Sequence, residues 1–185
     1  MTHALKPYEN IIDFVTGKAI PNVGAEENRQ AVERLLVEEK GFPKSALKID
    51  YPIEFEVGGE IHVSAVAILV FAKNGQPLMA VKCAAGSLGS YEREAVSAAR
   101  LAADPPVGLA LVSDGKAVTL LETQKGKVVG EGWAAIPYFE QSEKWVQQYK
   151  TPSLSPRRLE QERLIFRTYD SGNVNVGREL GAGCK

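Results

Sequence analysis

Lys82 is the single charged residue in an otherwise apolar run, Pro77 to Cys83, and it stands just before a small-residue loop, Gly86-Ser87-Leu88-Gly89-Ser90. A loop of this kind, leading into a helix, can cradle an anion with its backbone N–H groups. Arg93, just beyond it, adds a second positive charge if the loop folds back. Lys82, Ser87, Ser90 and Arg93 therefore form a candidate anion or nucleic-acid site. The loop lacks Gly-Lys-Ser/Thr, so it is no nucleotide-binding P-loop. The same residues have a reading without any ligand: a strand-to-helix turn capped by Ser90, beside a lysine whose stem lies on apolar neighbours while its head reaches water.

Other reactive types are scarce. Cys83 and Cys184 are far apart, and His3 and His62 lack metal-ligand spacing, so neither pair suggests a zinc site or a disulfide framework. Cys83 reads as buried and inert. Glu33 and Glu54 are carboxylates on a helix and a strand, and solvated charges are their ordinary use. The 185 residues carry 22 Lys+Arg against 23 Asp+Glu, a net charge of -1, which speaks against coating nucleic acid by bulk electrostatics. The longest apolar run, Ala65 to Ala72, is far short of the ~20 residues a membrane span needs. Glu9 and Asp13 stand where a secretory leader needs an apolar core. These features predict a reduced, cytoplasmic protein with no membrane partner.

The elements that must position these residues follow in order. Residues 1–24 read as an irregular arm. Asn28 or an earlier polar residue can cap a helix whose apolar stripe is formed by Ala31, Val32, Leu35 and Leu36, and which stops at Lys40-Gly41 before Pro43. Leu47 to Val57, Glu60 to Phe71 and Pro77 to Cys83 read as three strands, joined by turns at Gly58-Gly59 and Asn74-Gly75. A second helix spans about Tyr91 to Ala103 and ends at Asp104-Pro105-Pro106. Val107 to Val112 and Ala117 to Glu122 are two further strands around Asp114-Gly115, the first parallel to the meander across the helical crossover. Two helical stretches follow, about Tyr138–Tyr149 and Pro156–Thr168. Trp133, Tyr138, Phe139, Trp145 and Tyr149 are expected to close the core. Four glycines mark the tail, Gly172, Gly177, Gly181 and Gly183, which is expected to fray or to dock only with a partner. The predicted organisation is an arm at 1–24, an α/β domain at 25–136, a helical extension at 137–169 and a tail at 170–185.

Several segments together resemble the N-terminal domain of type I restriction enzyme R subunits and its stand-alone relatives. They are Arg29-Gln30-Ala31-Val32-Glu33-Arg34-Leu35-Leu36, Gly41-Phe42-Pro43, Tyr51-Pro52-Ile53-Glu54, Pro77-Leu78-Met79-Ala80-Val81-Lys82-Cys83 and Leu111-Val112-Ser113-Asp114-Gly115. A fainter echo lies at Arg163 to Asp170. The resemblance implies the PD-(D/E)XK nuclease fold, a restriction-endonuclease-like α-β-β-β-α-β core with a mixed central sheet flanked by helices, here with a C-terminal helical extension. It also implies Mg-dependent cleavage of DNA through an aspartate on the second core strand and an acid-x-lysine pair on the third. A divalent cation needs carboxylate oxygens, and residues two apart on a strand reach the same side.

Matched residue by residue, the aspartate position falls on Ala67 and the acid-x-lysine on Ala80-Val81-Lys82, so Lys82 alone remains as a vestigial catalytic candidate. At ~4 Å and an effective dielectric of ~20, a lysine repels each unit of cation charge by ~4 kcal/mol. The expectation is a domain without metal or cofactor and without metal-dependent cleavage, retained for nucleic-acid binding or as an accessory subunit in DNA restriction or processing. Its partners would be nucleic acid or another protein, with a homodimer as a further form. Two alternatives stand beside it. One is an active Mg-dependent endonuclease with carboxylates relocated to Glu33 or Glu54; the other is an interaction scaffold with no nucleic-acid contact.

Overall fold

The computed structural model describes residues 9–171. His3, Cys184 and the four tail glycines lie outside the described residues. The chain opens with a small hairpin, β1 (Asn10–Ile12) and β2 (Ala19–Pro21), paired antiparallel. Helix α1 (Glu26–Arg34) continues into a π-helical turn, Leu35–Glu39. Gly41 then takes φ +76°, the left-handed stop expected of a glycine there. Strands β3 (Leu47–Val57), β4 (Glu60–Phe71) and β5 (Pro77–Cys83) form the antiparallel meander with the bounds read from the sequence. Helix α2 (Glu92–Leu101) crosses over to β6 (Leu109–Ser113), which lies parallel to β5. Strands β7 (Val118–Glu122) and β8 (Lys127–Glu131) complete a six-stranded sheet in the order β3-β4-β5-β6-β7-β8. Helices α3 (Ser142–Gln148) and α4 (Pro156–Ser171) follow.

This is a restriction-endonuclease-like α-β-β-β-α-β core, a mixed sheet with helices on both faces. Continuous apolar strands are what a sheet covered on both sides requires, and two cores result. Ile68, Val70, Met79, Val81, Leu109, Leu111 and Leu120 face Val32, Leu36 and Phe42. On the other side Leu69, Ala80, Ala110, Val112 and Leu121 meet Ala95, Ala99 and Phe166. Trp133, Phe139, Trp145 and Tyr149 pack at the margin of the first core as expected, while Tyr138 stays about half exposed.

Some expectations need correcting. The arm is not irregular throughout, because β1 and β2 pair and the turn between them is tied to α1. Neither predicted cap is formed. Ala25 precedes α1, and Asn28 sits inside the helix, donating from Nδ2 to the Ala84 carbonyl at 2.7 Å. Tyr91 precedes α2 with no capping side chain, and Ser90 ends a short 3-10 turn, Leu88–Ser90. Strand β8 is an addition with no apolar face to announce it. The stretch expected as one helix from Tyr138 to Tyr149 is a 3-10 turn, Phe139–Gln141, followed by α3.

One irregularity controls the geometry near Lys82. Ile49 pairs with Ile68 and Tyr51 with Val66, but Asp50 between them takes φ +50°. Leu47 and Ile49 pack against the first core, whereas Tyr51, Ile53, Phe55 and Val57 pack into the second. A regular strand would keep all six on one side. The β3–β4 ribbon therefore rolls over at Asp50, and its outer half lies against α4.

Candidate functional site

Ile68 pairs with Val81 and Leu69 with Ala80, so Ala80 and Lys82 point to the α2 side of the sheet. Ala67 lies one residue beyond the Ile68–Val81 pair, level with Lys82. Around Lys82 the walls are Ala65, Val66, Ala80, Ala95, Ala98, Phe166 and Glu94, and they leave a cavity of about 10 Å³. That is room for one water at most.

Glu94 is the residue sequence reasoning missed. It is buried on the first turn of α2, and its Oε1 accepts from Lys82 Nζ at 2.5 Å. The Lys82 ammonium also lies 5.8 Å from the Tyr91 ring centroid. Its charge is thus matched from within the fold. A usable signal was present: a lysine at a strand end and an acidic residue on the inner face of the next helix, one turn after the loop.

The proposed anion group is only partly assembled. Ser87 begins the 3-10 turn and accepts from the Ser90 N–H at 3.2 Å, and Leu88 accepts from the Tyr91 N–H at 2.9 Å. Two of the loop's donors are therefore used within it. Arg93 is exposed on the outer side of α2. Among the described residues no hydrogen bond or ion pair joins Lys82 to Ser87, Ser90 or Arg93.

The relocated carboxylates go elsewhere. Glu54 is exposed on β3. Glu33 is fully buried in a different cluster, where Arg29 serves three carboxylates. The Arg29 guanidinium pairs with Glu33 at 2.5 Å, with Asp13 at 2.7 Å and with Glu26. Gln30 joins by donating to Asp13 at 3.1 Å and accepting from the Phe14 N–H at 2.8 Å. Glu33 also accepts from the Val15 N–H at 3.2 Å. The cluster's work is to tie the β1–β2 turn to α1.

Burial pushes the Glu33 carboxyl up to about 7, against the pull of Arg29 and with the repulsion of Asp13 assisting. Asp13, despite its own burial, is held at about 2 by hydrogen bonds from Thr16, the Arg29 charge and Gln30. The two have opposite consequences. Between the ordinary glutamate value of 4.5 and about 7, the folded chain holds a proton on Glu33 that the unfolded chain has released. Stability should therefore fall as pH rises through that window, by an amount on the order of 3 kcal/mol. Asp13 contributes stability above 3.8 that is lost as pH falls towards about 2. Urea midpoints across pH 4.5–7.5 should show the first trend, and Glu33→Gln should flatten it; an unchanged slope in that variant would assign the effect elsewhere. Cys83 is buried, with its thiol pushed up to about 12, which leaves little nucleophilic thiolate at neutral pH.

The order of strands and helices is that of a restriction-endonuclease-like domain. Residues 24–137, more than half of the chain, match the family described as the type I restriction enzyme R protein N terminus, and the chain belongs to that family. No curated protein and no solved structure matches it. No helix of the described residues is long and apolar enough to cross a membrane.

The Mg²⁺ of nucleases with this core does not fit the residues present. The positions that the resemblance assigns to ligands hold Ala67 and Ala80, and Ala67 packs against the first core outside the cavity; among the described residues the carboxylate in the cavity wall is Glu94, paired with an ammonium. Among the described residues, no group of three His, Cys, Asp or Glu side chains is placed to hold a metal ion.

Proposed function

We propose that this chain is a restriction-endonuclease-like domain that no longer cleaves nucleic acid and acts by binding, as a nucleic-acid-contacting or accessory module of DNA restriction or processing. The Lys82–Glu94 pair carries this reading. In a cleaving site the lysine helps to position or activate the attacking water beside a carboxylate-held cation. Here its ammonium is 2.5 Å from a buried carboxylate in a cavity with alanines on both strands. A cation arriving there would meet the lysine's positive charge and would have to displace it from the buried Glu94 carboxylate, leaving an ammonium without its partner.

Glu94 also supports a second reading, an endonuclease whose carboxylate has moved from strand to helix. Incubation with supercoiled and single-stranded DNA in Mg²⁺ or Mn²⁺ separates the two. The proposal expects no nicking above the buffer control. Nicking abolished by the folded, charge-neutral pair Lys82→Met with Glu94→Gln would establish the second reading. Binding to DNA at two salt concentrations then distinguishes a nucleic-acid contact from a pure scaffold, because phosphate contacts weaken as salt rises.

A further inference from the structure

Among the described residues, the outer half of the β3–β4 ribbon has helix on one face only. β5 pairs with β4 only over Ile68–Phe71, so the ribbon from Pro52–Ala65 to Val57–Glu60 extends beyond the six-stranded sheet. On one face Phe55 and His62 meet Phe166 of α4, with ring centroids 6.0 and 6.3 Å from it, and Arg167 and Asp170 bind Glu60 and His62 at 2.7 and 2.9 Å. On the other face Ile61 is 70 % exposed and Val63 51 %. Directly across from them on β3 stand Glu56 and Glu54, both exposed. The result is two parallel rows on one surface, apolar along β4 and acidic along β3.

We infer that this face docks an amphipathic, basic helix of a protein partner. A two-stranded ribbon is roughly 10 Å wide, the diameter of a single helix, and α4 already covers the opposite face in that manner. A helix laid along the ribbon with its apolar stripe on Ile61 and Val63 would set a flanking row of Lys or Arg above Glu54 and Glu56. Charge selects the occupant: two glutamates repel a phosphate backbone and attract a cationic helix. The inference is independent of whether Lys82 supports cleavage, because this face points away from α4.

The test uses the full chain and two synthetic helical peptides. Both carry leucines at helical spacing; lysines flank the leucine stripe in one and glutamates in the other. Amide signals of residues 54–63 should shift with the lysine peptide and remain still with the glutamate peptide. Ile61→Ser with Val63→Ser, at exposed positions, should weaken the lysine peptide about tenfold or more. Glu54→Lys with Glu56→Lys should reverse the preference between the peptides. Equal affinity for both peptides, shifts confined to other surfaces, or undiminished binding by the serine variant would overturn the inference. So would a concentration-dependent dimer that protects Ile61 and Val63, which would give the face to a second copy. A shift of the Ile61 and Val63 signals in a Val174→Asn, Val176→Asn variant would give it to the chain's own C-terminus.

Discussion

Replacing Arg29 by methionine should remove about 3–5 kcal/mol of stability, because it leaves buried carboxylates with no compensating charge. Arg29 is 3 % exposed, and it is the cation at the centre of Asp13, Glu26 and Glu33. Domains of this size are stable by only about 5–15 kcal/mol, so a loss of this order would be plain in a urea midpoint. The loss should be greatest near neutral pH and shrink in acid, where the orphaned carboxylates take up protons. Proteolysis should then find the β1–β2 hairpin first, since Val15 and Phe14 are held to α1 through Glu33 and Gln30. A midpoint within error of the parent protein at pH 7 would mean that the cluster is electrostatically idle.

Glu162→Ala should be comparably damaging, for a related reason. Glu162 is fully buried on α4 and accepts from Ser97 at 2.8 Å and Arg100 at 2.9 Å on α2, and from Arg158 at 2.7 Å on its own helix. Arg100 also donates to the Thr123 carbonyl at 2.7 and 3.0 Å, so it cannot swing out to water without breaking those bonds. Truncating its carboxylate partner strands a largely buried guanidinium, at a cost of about 3–5 kcal/mol. Replacing both, as Arg100→Met with Glu162→Leu, should recover part of the loss, since an apolar pair of similar volume removes the desolvation penalty. The expected signature is a lowered thermal midpoint, with faster amide exchange along α4 ahead of the sheet. A uniform change across the whole chain would point to a global effect instead. Loosening α4 would also withdraw Phe166 from the wall beside Lys82.

The elements legible in the sequence were those whose burial produces a pattern. Leu47 to Val57, Glu60 to Phe71 and Pro77 to Cys83 are apolar or alternating and are bounded by glycine turns, and a crossover helix made parallel β5–β6 pairing the simplest topology. Strand β8 was not legible, because four of its five residues are exposed and it has no apolar face. The β1–β2 hairpin is held through Asp13, a residue whose polarity suggested solvent rather than a buried ion pair. Glu33 was misjudged by the same logic, since a lone carboxylate on a helix is usually wet, and only the fold brings Arg29 and Asp13 around it. At the candidate site, Ala80 and Lys82 were identifiable from a resemblance, while Ala67, matched to the same site, packs against the first core instead. Glu94 was overlooked, although a lysine at a strand end followed by an acidic residue early in the next helix hints at the pair; which face of α2 turns inward is settled only by the fold. The roll at Asp50 left no trace at all: a left-handed aspartate has no spacing signature.

That roll has a consequence for how the molecule opens. The ribbon beyond Asp50 draws its apolar cover from a helix at the far end of the chain, not from the sheet interior. The tip of β3–β4 and the last turns of α4, about a hundred residues apart in sequence, therefore stabilise each other. Helix α4 has a second hold, because Glu162 ties it to Ser97 and Arg100 of α2, so the ribbon tip should open first, ahead of β5, β6 and β7. Ala65 and Phe166 of the cavity wall belong to this outer part, so its opening should widen the approach to a lysine that is already 26 % exposed.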